Sequence, residues 1–288
     1  MDPARIESLR RSVVVIKYGG NAMVNESAES SVAGQIARLR ELQIPVVLVH
    51  GGGPAIRRLL GEVGLESEFA DGHRITDSRA MRLVEMALCG EVNGALVSAL
   101  NRYPVRAVGL SGKDAGMVSA VKRYHSVKEG GESRKIDLGQ VGDVESVDTE
   151  LLVRLIESGF LPVIAPVASG ANQMDYNINA DMFAGHIAGA LKAKAYVALT
   201  DVDALRSDPT DASSAIHKIS AEEVKMSIGS TIEGGMIPKV ESCLIALEMG
   251  VAHAHIISGT QPGTLLKTLL SVEPCGTRIE NGNQTERK

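Results

Sequence analysis

VVVIKYGG, residues 13–20, is an apolar run of strand length that ends in a lysine and two glycines. Its continuous β-branched character fits a strand buried on both faces, as in a parallel sheet covered by helices. A lysine closing such a strand must either snorkel to water or meet an anion that offsets its partial desolvation. The choice between those two fates decides what the chain does.

Working outward, strand-length apolar runs alternate with longer segments of helical period. IPVVLVH (44–50), VRAVGLSG (105–112), FLPVIAPVA (160–168), AYVALTDVDAL (195–205) and AHIIS (254–258) read as strands. Residues 30–43, 54–63, 78–101, 148–159, 221–227, 238–249 and 262–271 read as helices. So does NINADMFAGHIAGALKAK, with Asn179 as its N-cap. The alternation predicts βαβ units in an α/β fold, a three-layer αβα sandwich around a mainly parallel central sheet. Residues 117–146 are polar and glycine-containing instead, and predict small β-hairpins protruding from the sheet. The two halves, 1–165 and 166–288, are expected to share that one sheet.

Composition narrows the partners. The chain is 44% hydrophobic and 23% charged, with a net charge of −5 and scattered basic residues, which argues against nucleic acid as a partner. Tryptophan is absent and aromatics are 3%, a poor platform for stacking bases. No uninterrupted apolar run reaches about 20 residues, and the start MDPARIESLRRS lacks the apolar core of a signal peptide. No membrane partner and a cytoplasmic location are the expectation. Cys89, Cys243 and Cys275 lie far apart without CxxC spacing and read as unpaired thiols, with no metal site expected.

In an open parallel sheet, ligands bind beyond the carboxyl ends of the strands. Lys17, Gly19 and Gly20 occupy one such end, and HGGGP (50–54) occupies another. Pro54 suits a first helical turn, so the glycine amides can converge on an anion at the positive end of a helix. Either cluster alone is also what a tight strand-to-helix turn needs; two together point to an anion site. Lys239 in GGMIPK sits in the first turn of a helix begun by Pro238, where a cation opposes the helix dipole unless an anion is bound. Asp181 sits in the first turn after NIN, either as a dipole partner or as an anchor for lysines around a transferring phosphoryl group. Familiar phosphate motifs fail: GLSGKD (109–114) lacks P-loop spacing, and no GxGxxG occurs. HGGG also occurs in lipases, but no GxSxG accompanies it.

Taken together, VVVIKYGGNAM, VLVHGGGPAI, DGHRITD, VEMALCGEVN, AVGLSGKDAG, YNINAD, LTDVDAL, EGGMIPKVESC and GTRI resemble the amino acid kinase family over nearly the whole chain, most closely its acetylglutamate-phosphorylating branch. The resemblance implies transfer of a phosphoryl group from ATP, with magnesium, to the side-chain carboxylate of N-acetyl-L-glutamate in arginine biosynthesis. It implies catalytic roles for Lys17, Lys239 and Asp181. Gly52, Gly53, Arg74, Asn177 and Asn179 would bind the acyl amino acid, with the Arg74 fork on its α-carboxylate. Gly19, Gly20, Thr200, Asp201, Val202, Leu205, Thr231, Glu233 and Gly235 would bind the nucleotide. The N-terminal half would then hold substrate and the C-terminal half ATP.

The attacking carboxylate is already ionised near neutral pH, so the resemblance calls for positioning and charge stabilisation and no general base. The chain departs from the family pattern at Ala204, where glycine usually follows TDVD, and in HIISGTQPGTLL (255–266). Two rivals stay open: a kinase for a carrier-linked α-aminoadipate, and a noncatalytic amino-acid sensor. About eleven residues precede the first strand, against a longer N-terminal helix in hexameric members. A homodimer through the 78–101 helix is therefore expected, a hexamer being the alternative, with arginine inhibition not expected.

Overall fold

The computed structural model describes residues 2–23, 26–67, 69–70, 73–129, 132–208, 210–273 and 275–282. Eight strands form the central sheet, in the order Lys218–Ser220, Thr277–Glu280, His253–Ser258, Ala195–Thr200, Val14–Tyr18, Val46–His50, Leu161–Ala165 and Ala107–Ser111. The six strands from His253–Ser258 onward run parallel. Thr277–Glu280 reverses direction against His253–Ser258. Four strands from the C-terminal half lie side by side and continue, where Ala195–Thr200 pairs with Val14–Tyr18, into four from the N-terminal half, so one sheet spans both halves.

Val14–Tyr18 lies in the middle, with Lys17 level with Ala198 on one side and Val49 on the other. All five of its residues are buried, the signature of a sheet covered on both faces. Because successive side chains alternate, Val14, Ile16 and Tyr18 join one core cluster and Val15 joins the other. The first face is covered by Glu26–Glu41, Asn93–Asn101 and Thr264–Leu270, through residues such as Ile36, Leu100 and Leu265. The second is covered by Ala180–Ala190 and Ile237–Glu248, through Phe183, Ile187, Val240 and Leu244. Lys17 shares its parity with Val15, so the pleat delivers it to the second face.

The sequence reading lacked the strands Lys218–Ser220 and Thr277–Glu280 at one edge of the sheet, and three further elements differ from it. The expected hairpins are one long pair, Val118–Glu129 with Glu132–Val147, and they do not simply protrude. They close with Val167–Gly170 and Asp175–Ile178 into a four-stranded barrel. The barrel is tight: a Cβ at Gly142 would fall 2.7 Å from Tyr176 Cβ. A short helix, Pro3–Arg10, precedes the first strand, capped by the Asp2 side chain accepting from the Ala4 N–H at 2.9 Å. The long helical run Ser78–Asn101 is not uniformly α-helical but contains a π-helical stretch, Met86–Val92. By length and mean hydropathy this run could cross a bilayer, but here Val84, Leu88, Leu96 and Leu100 pack into the core.

The helices Ala180–Ala190 and Ile237–Glu248 cross at backbone contact, since a Cβ at Gly185 would lie 2.6 Å from the Ser242 carbonyl oxygen. Alanine for glycine in a free helix stabilises by up to about 1 kcal/mol. Here the collision with backbone reverses the sign, and Gly185→Ala is expected to cost about 1–3 kcal/mol. A lower urea midpoint at unchanged m-value checks this.

Candidate active site

The cleft at the carboxyl end of the sheet begins with Lys17. Only 5% exposed, its ammonium meets Asp181 Oδ1 at 2.8 Å, and both side chains are nearly buried. Asp181 is placed by the helix start: Asn179 is the N-cap, its Oδ1 accepting from the N–H of Asp181 at 2.9 Å and of Met182 at 3.3 Å. Asp181 Oδ1 has no well-aligned hydrogen-bond donor, so its contact with Lys17 is chiefly ionic. An ammonium has three protons, and this pairing leaves it others to offer a ligand.

Two glycine turns lie next to Lys17. The Gly19 N–H donates to the Leu199 carbonyl at 3.0 Å, and the Gly51 N–H donates to the Tyr18 carbonyl at 2.8 Å, which binds both turns to neighbouring strand ends. A Cβ at Gly20 would stand 3.1 Å from both Gly52 N and Gly53 N, so only glycine allows this approach without displacing the backbone. Gly53 begins the helix Gly53–Glu62, with Pro54 in its first turn. Amides from two turns and one helix start therefore border the cleft.

Lys239 enters from the opposite wall, on the first turn of Ile237–Glu248. Its ammonium donates to the Gly235 carbonyl at 2.8 Å. Burial pushes its pKa below the usual lysine value; Asp181 and Asp201 pull it back up, and the Lys17 charge pushes it down again. Burial works against the Asp201 carboxylate, but hydrogen bonds from Thr200 and Asn21 and the Lys239 charge outweigh it and hold its pKa below the ordinary range. Thr200 donates to Asp201 at 2.9 Å.

At the far end stands Arg74, 8% exposed. Its guanidinium lies 4.6 Å above the Phe69 ring and donates to the Ser67 hydroxyl. Burial, with the nearby Arg57 charge, disfavours its charged form; a bound carboxylate would counter both effects. Lys17, Gly19, Gly20, Gly52, Gly53, Arg74, Asn177, Asn179, Asp181, Thr200, Asp201 and Lys239 all border this one cleft of about 330 Å³. The strand Asp175–Ile178, which carries Asn177, is tied to the Ser78–Glu85 helix by Lys113, bonded to Asp175 at 2.6 Å and to Glu85 at 2.7 Å.

A second recess of about 360 Å³ adjoins the cleft at Asp201 and is lined by Val202, Leu205, Thr231 and Glu233, with Ile232 and Met236. Gly235 is not among them; it borders a third recess, beside Arg123 and Pro238. The sequence reading missed Phe69, which carries Arg74, and Asn21, whose Nδ2 donates to Asp201 at 3.4 Å. It also missed His50, wholly buried behind the glycine turn, although that histidine directly precedes GGG.

The sequence model of the amino acid kinase family matches residues 12–258. The acetylglutamate kinase of Symbiobacterium thermophilum is 44% identical over 275 residues, covering 95% of this chain and 93% of that protein. The acetylglutamate kinase of Methanocaldococcus jannaschii is 43% identical over 276 residues, covering 95% and 92%. Among solved structures, N-acetylglutamate synthase from Neisseria gonorrhoeae, complexed with coenzyme A and N-acetyl-glutamate, superimposes with a TM-score of 0.80 at 23% identity. That match covers 97% of this chain and 62% of the longer synthase, and it speaks to the fold alone. With matches of this extent in both sequence and fold, the chain belongs to the amino acid kinase family.

Proposed function

We propose that the chain transfers the terminal phosphoryl group of ATP to the side-chain carboxylate of N-acetyl-L-glutamate, giving the 5-phosphate. The observation that carries this is the convergence of Lys17, Lys239 and Arg74 on one cleft around Asp181. The relatives named acetylglutamate kinase support the choice of substrate. Arg74 then clasps the α-carboxylate, which its planar fork matches in geometry. Asn177, Asn179 and the Gly52 and Gly53 amides complete that end. The nucleotide lies along the Asp201–Leu205 recess, so residues 1–165 mainly hold the acyl amino acid and 166–288 mainly ATP.

The acceptor carboxylate is ionised near neutral pH, so no residue has to remove a proton. Lys17 and Lys239 neutralise charge on the migrating phosphoryl group, and Asp181 keeps the first of them aimed. Among the described residues no cluster of three potential side-chain ligands could hold a metal, so magnesium fits this reading as a companion of the phosphates, where it supplies further charge neutralisation. In the same proposal the enzyme is a cytoplasmic homodimer joined through the Ser78–Asn101 helix and serves arginine biosynthesis.

ADP release measured with N-acetylglutamate, glutamate, aspartate and an α-aminoadipate derivative tests the assignment. Turnover confined to glutamate or aminoadipate, or none with any acceptor, would overturn it. Lys17→Ala is expected to lower kcat about 100-fold or more. Arg74→Lys is expected to raise KM for N-acetylglutamate at least about tenfold while KM for ATP stays within about twofold, the cost of losing a bidentate grip. The active form of Lys239 is the ammonium. kcat/KM should therefore be level at lower pH and fall as pH rises through the lowered Lys239 pKa, at a pH below the usual lysine value of about 10.4. Bound nucleotide raises that pKa again, moving the limb in kcat to higher pH. Lys239→Arg should abolish the limb in both profiles.

A further inference from the structure

We propose that His50 and Asn93 form a positioning dyad that holds the Gly51–Gly53 turn from behind and so sets affinity for the acyl amino acid; this rests on the reading of Gly52 and Gly53 as substrate-binding amides. His50 ends the strand Val46–His50 and is 0% exposed. Its Nδ1 lies 2.8 Å from the Gly51 carbonyl oxygen, and its Nε2 lies 3.0 Å from Asn93 Nδ2. The carbonyl can only accept. Asn93 Nδ2 also donates to the Val163 carbonyl at 2.9 Å, which fixes the carboxamide with its nitrogen toward the ring. The ring must therefore carry its proton on Nδ1 and present a lone pair at Nε2. Burial drives its pKa down to about 4, so this neutral tautomer persists across the physiological range.

The consequence for the cleft follows from peptide planarity. The Gly51 C=O and the Gly52 N–H belong to the same trans peptide and point in opposite directions, and no cis bond occurs among the described residues. A histidine that draws the Gly51 carbonyl backward turns the Gly52 amide toward the cleft, which Gly52 borders. The glycine turn has wide conformational freedom of its own, and the dyad removes much of it before substrate arrives.

Asn93 reaches His50 because of the π-helical stretch. Met86–Val92 directly precedes it, and one extra residue in a turn rotates every later side chain by about 100° about the axis. The same stretch presses on the turn directly, since a Cβ at Gly52 would fall 2.6 Å from Leu88 Cδ2 and 3.3 Å from Val92 Cγ2. On its other side the Asn93 carboxamide rests over Gly109, where a Cβ would lie 2.1 Å from Oδ1. The helical run thus meets the glycine turn directly through Leu88 and Val92 at Gly52, and indirectly through Asn93 by way of His50.

Two substitutions separate the halves of the dyad. Asparagine at 50 keeps a donor near the place of Nδ1, whereas glutamine keeps an acceptor near that of Nε2. We expect His50→Gln to raise KM for N-acetylglutamate about tenfold, the equivalent of one hydrogen bond, with KM for ATP and kcat within about twofold. His50→Asn should recover most of that loss, and Asn93→Ser should give an intermediate KM. Imidazole ¹⁵N spectra of the wild-type protein should show His50 as the Nδ1–H tautomer from pH 6 to 8. An Nε2–H tautomer would overturn the proposal. So would equal KM values for the asparagine and glutamine variants, or losses in kcat and both KM values that track the melting temperature. The spectrum needs no turnover, so an inactive wild type would sink the proposed reaction while the dyad was still decided by its tautomer.

Discussion

The buried contact between Lys17 and Asp181 is the constraint around which the site is arranged. Each residue lies at the end of an element that packing has already fixed, one on the central strand and one on the first turn of the helix covering it. Removing either partner of a buried pair leaves an uncompensated charge and typically costs about 3–5 kcal/mol. An intact pair of this kind is often no more stabilising than apolar residues of the same volume. The pair is therefore poorly explained as a device for stability alone. What it provides is aim, because the lysine is held by its carboxylate while part of its donor capacity remains for a third group.

The same logic extends over the cleft. Lys239 is half-buried, and the Lys17 charge opposes its own; Arg74 is buried near Arg57; the glycines of both turns border the space between. Each cation has been partly dehydrated beside another, and folding must supply the free energy of holding them there. A ligand that brings carboxylate and phosphate charge recovers that cost on binding, most fully where negative charge is greatest along the reaction path. In the proposed reaction, this electrostatic tension would be what makes the fold complementary to a migrating phosphoryl group.

The parts of this design legible in the sequence are those that a local pattern dictates. The continuous apolar runs announced a sheet buried on both faces. The paired glycine turns and Lys239, which stood out after Pro238 by opposing the helix dipole, do border one cleft. The sequence showed less where structure depends on pairing at a distance. The barrel closes only when Val167–Gly170 and Asp175–Ile178 join a hairpin begun some fifty residues earlier, a distance that no short window spans. Helix Pro3–Arg10 has its cap and its proline in plain view, but only Leu9 is buried, so no apolar stripe advertised it. The π-helical stretch left no mark either, because MALCGEV has no composition that distinguishes it from an ordinary turn of helix. The resemblance grouped Gly235 with Thr231 and Glu233, and the 3₁₀ turn Gly234–Met236 sets it in a neighbouring recess that shares Asn179, Asp181 and Lys239 with the cleft.

His50 illustrates why a histidine in an active site is easily assigned the wrong task. Its position beside the glycine turn invites a role in proton transfer, but a carboxylate acceptor brings no proton to remove. A ring whose pKa has fallen to about 4 also has little affinity for one at neutral pH. Both nitrogens are occupied by neighbours that fix the tautomer, which is the arrangement of a structural hydrogen-bond relay. The contrast with Lys17 is physical: the lysine keeps donors to spare at the cleft, whereas the histidine spends both nitrogens behind it. In a kinase whose nucleophile arrives ionised, the lysines can face the reactants as charges while this histidine, held neutral, serves only to position backbone behind them.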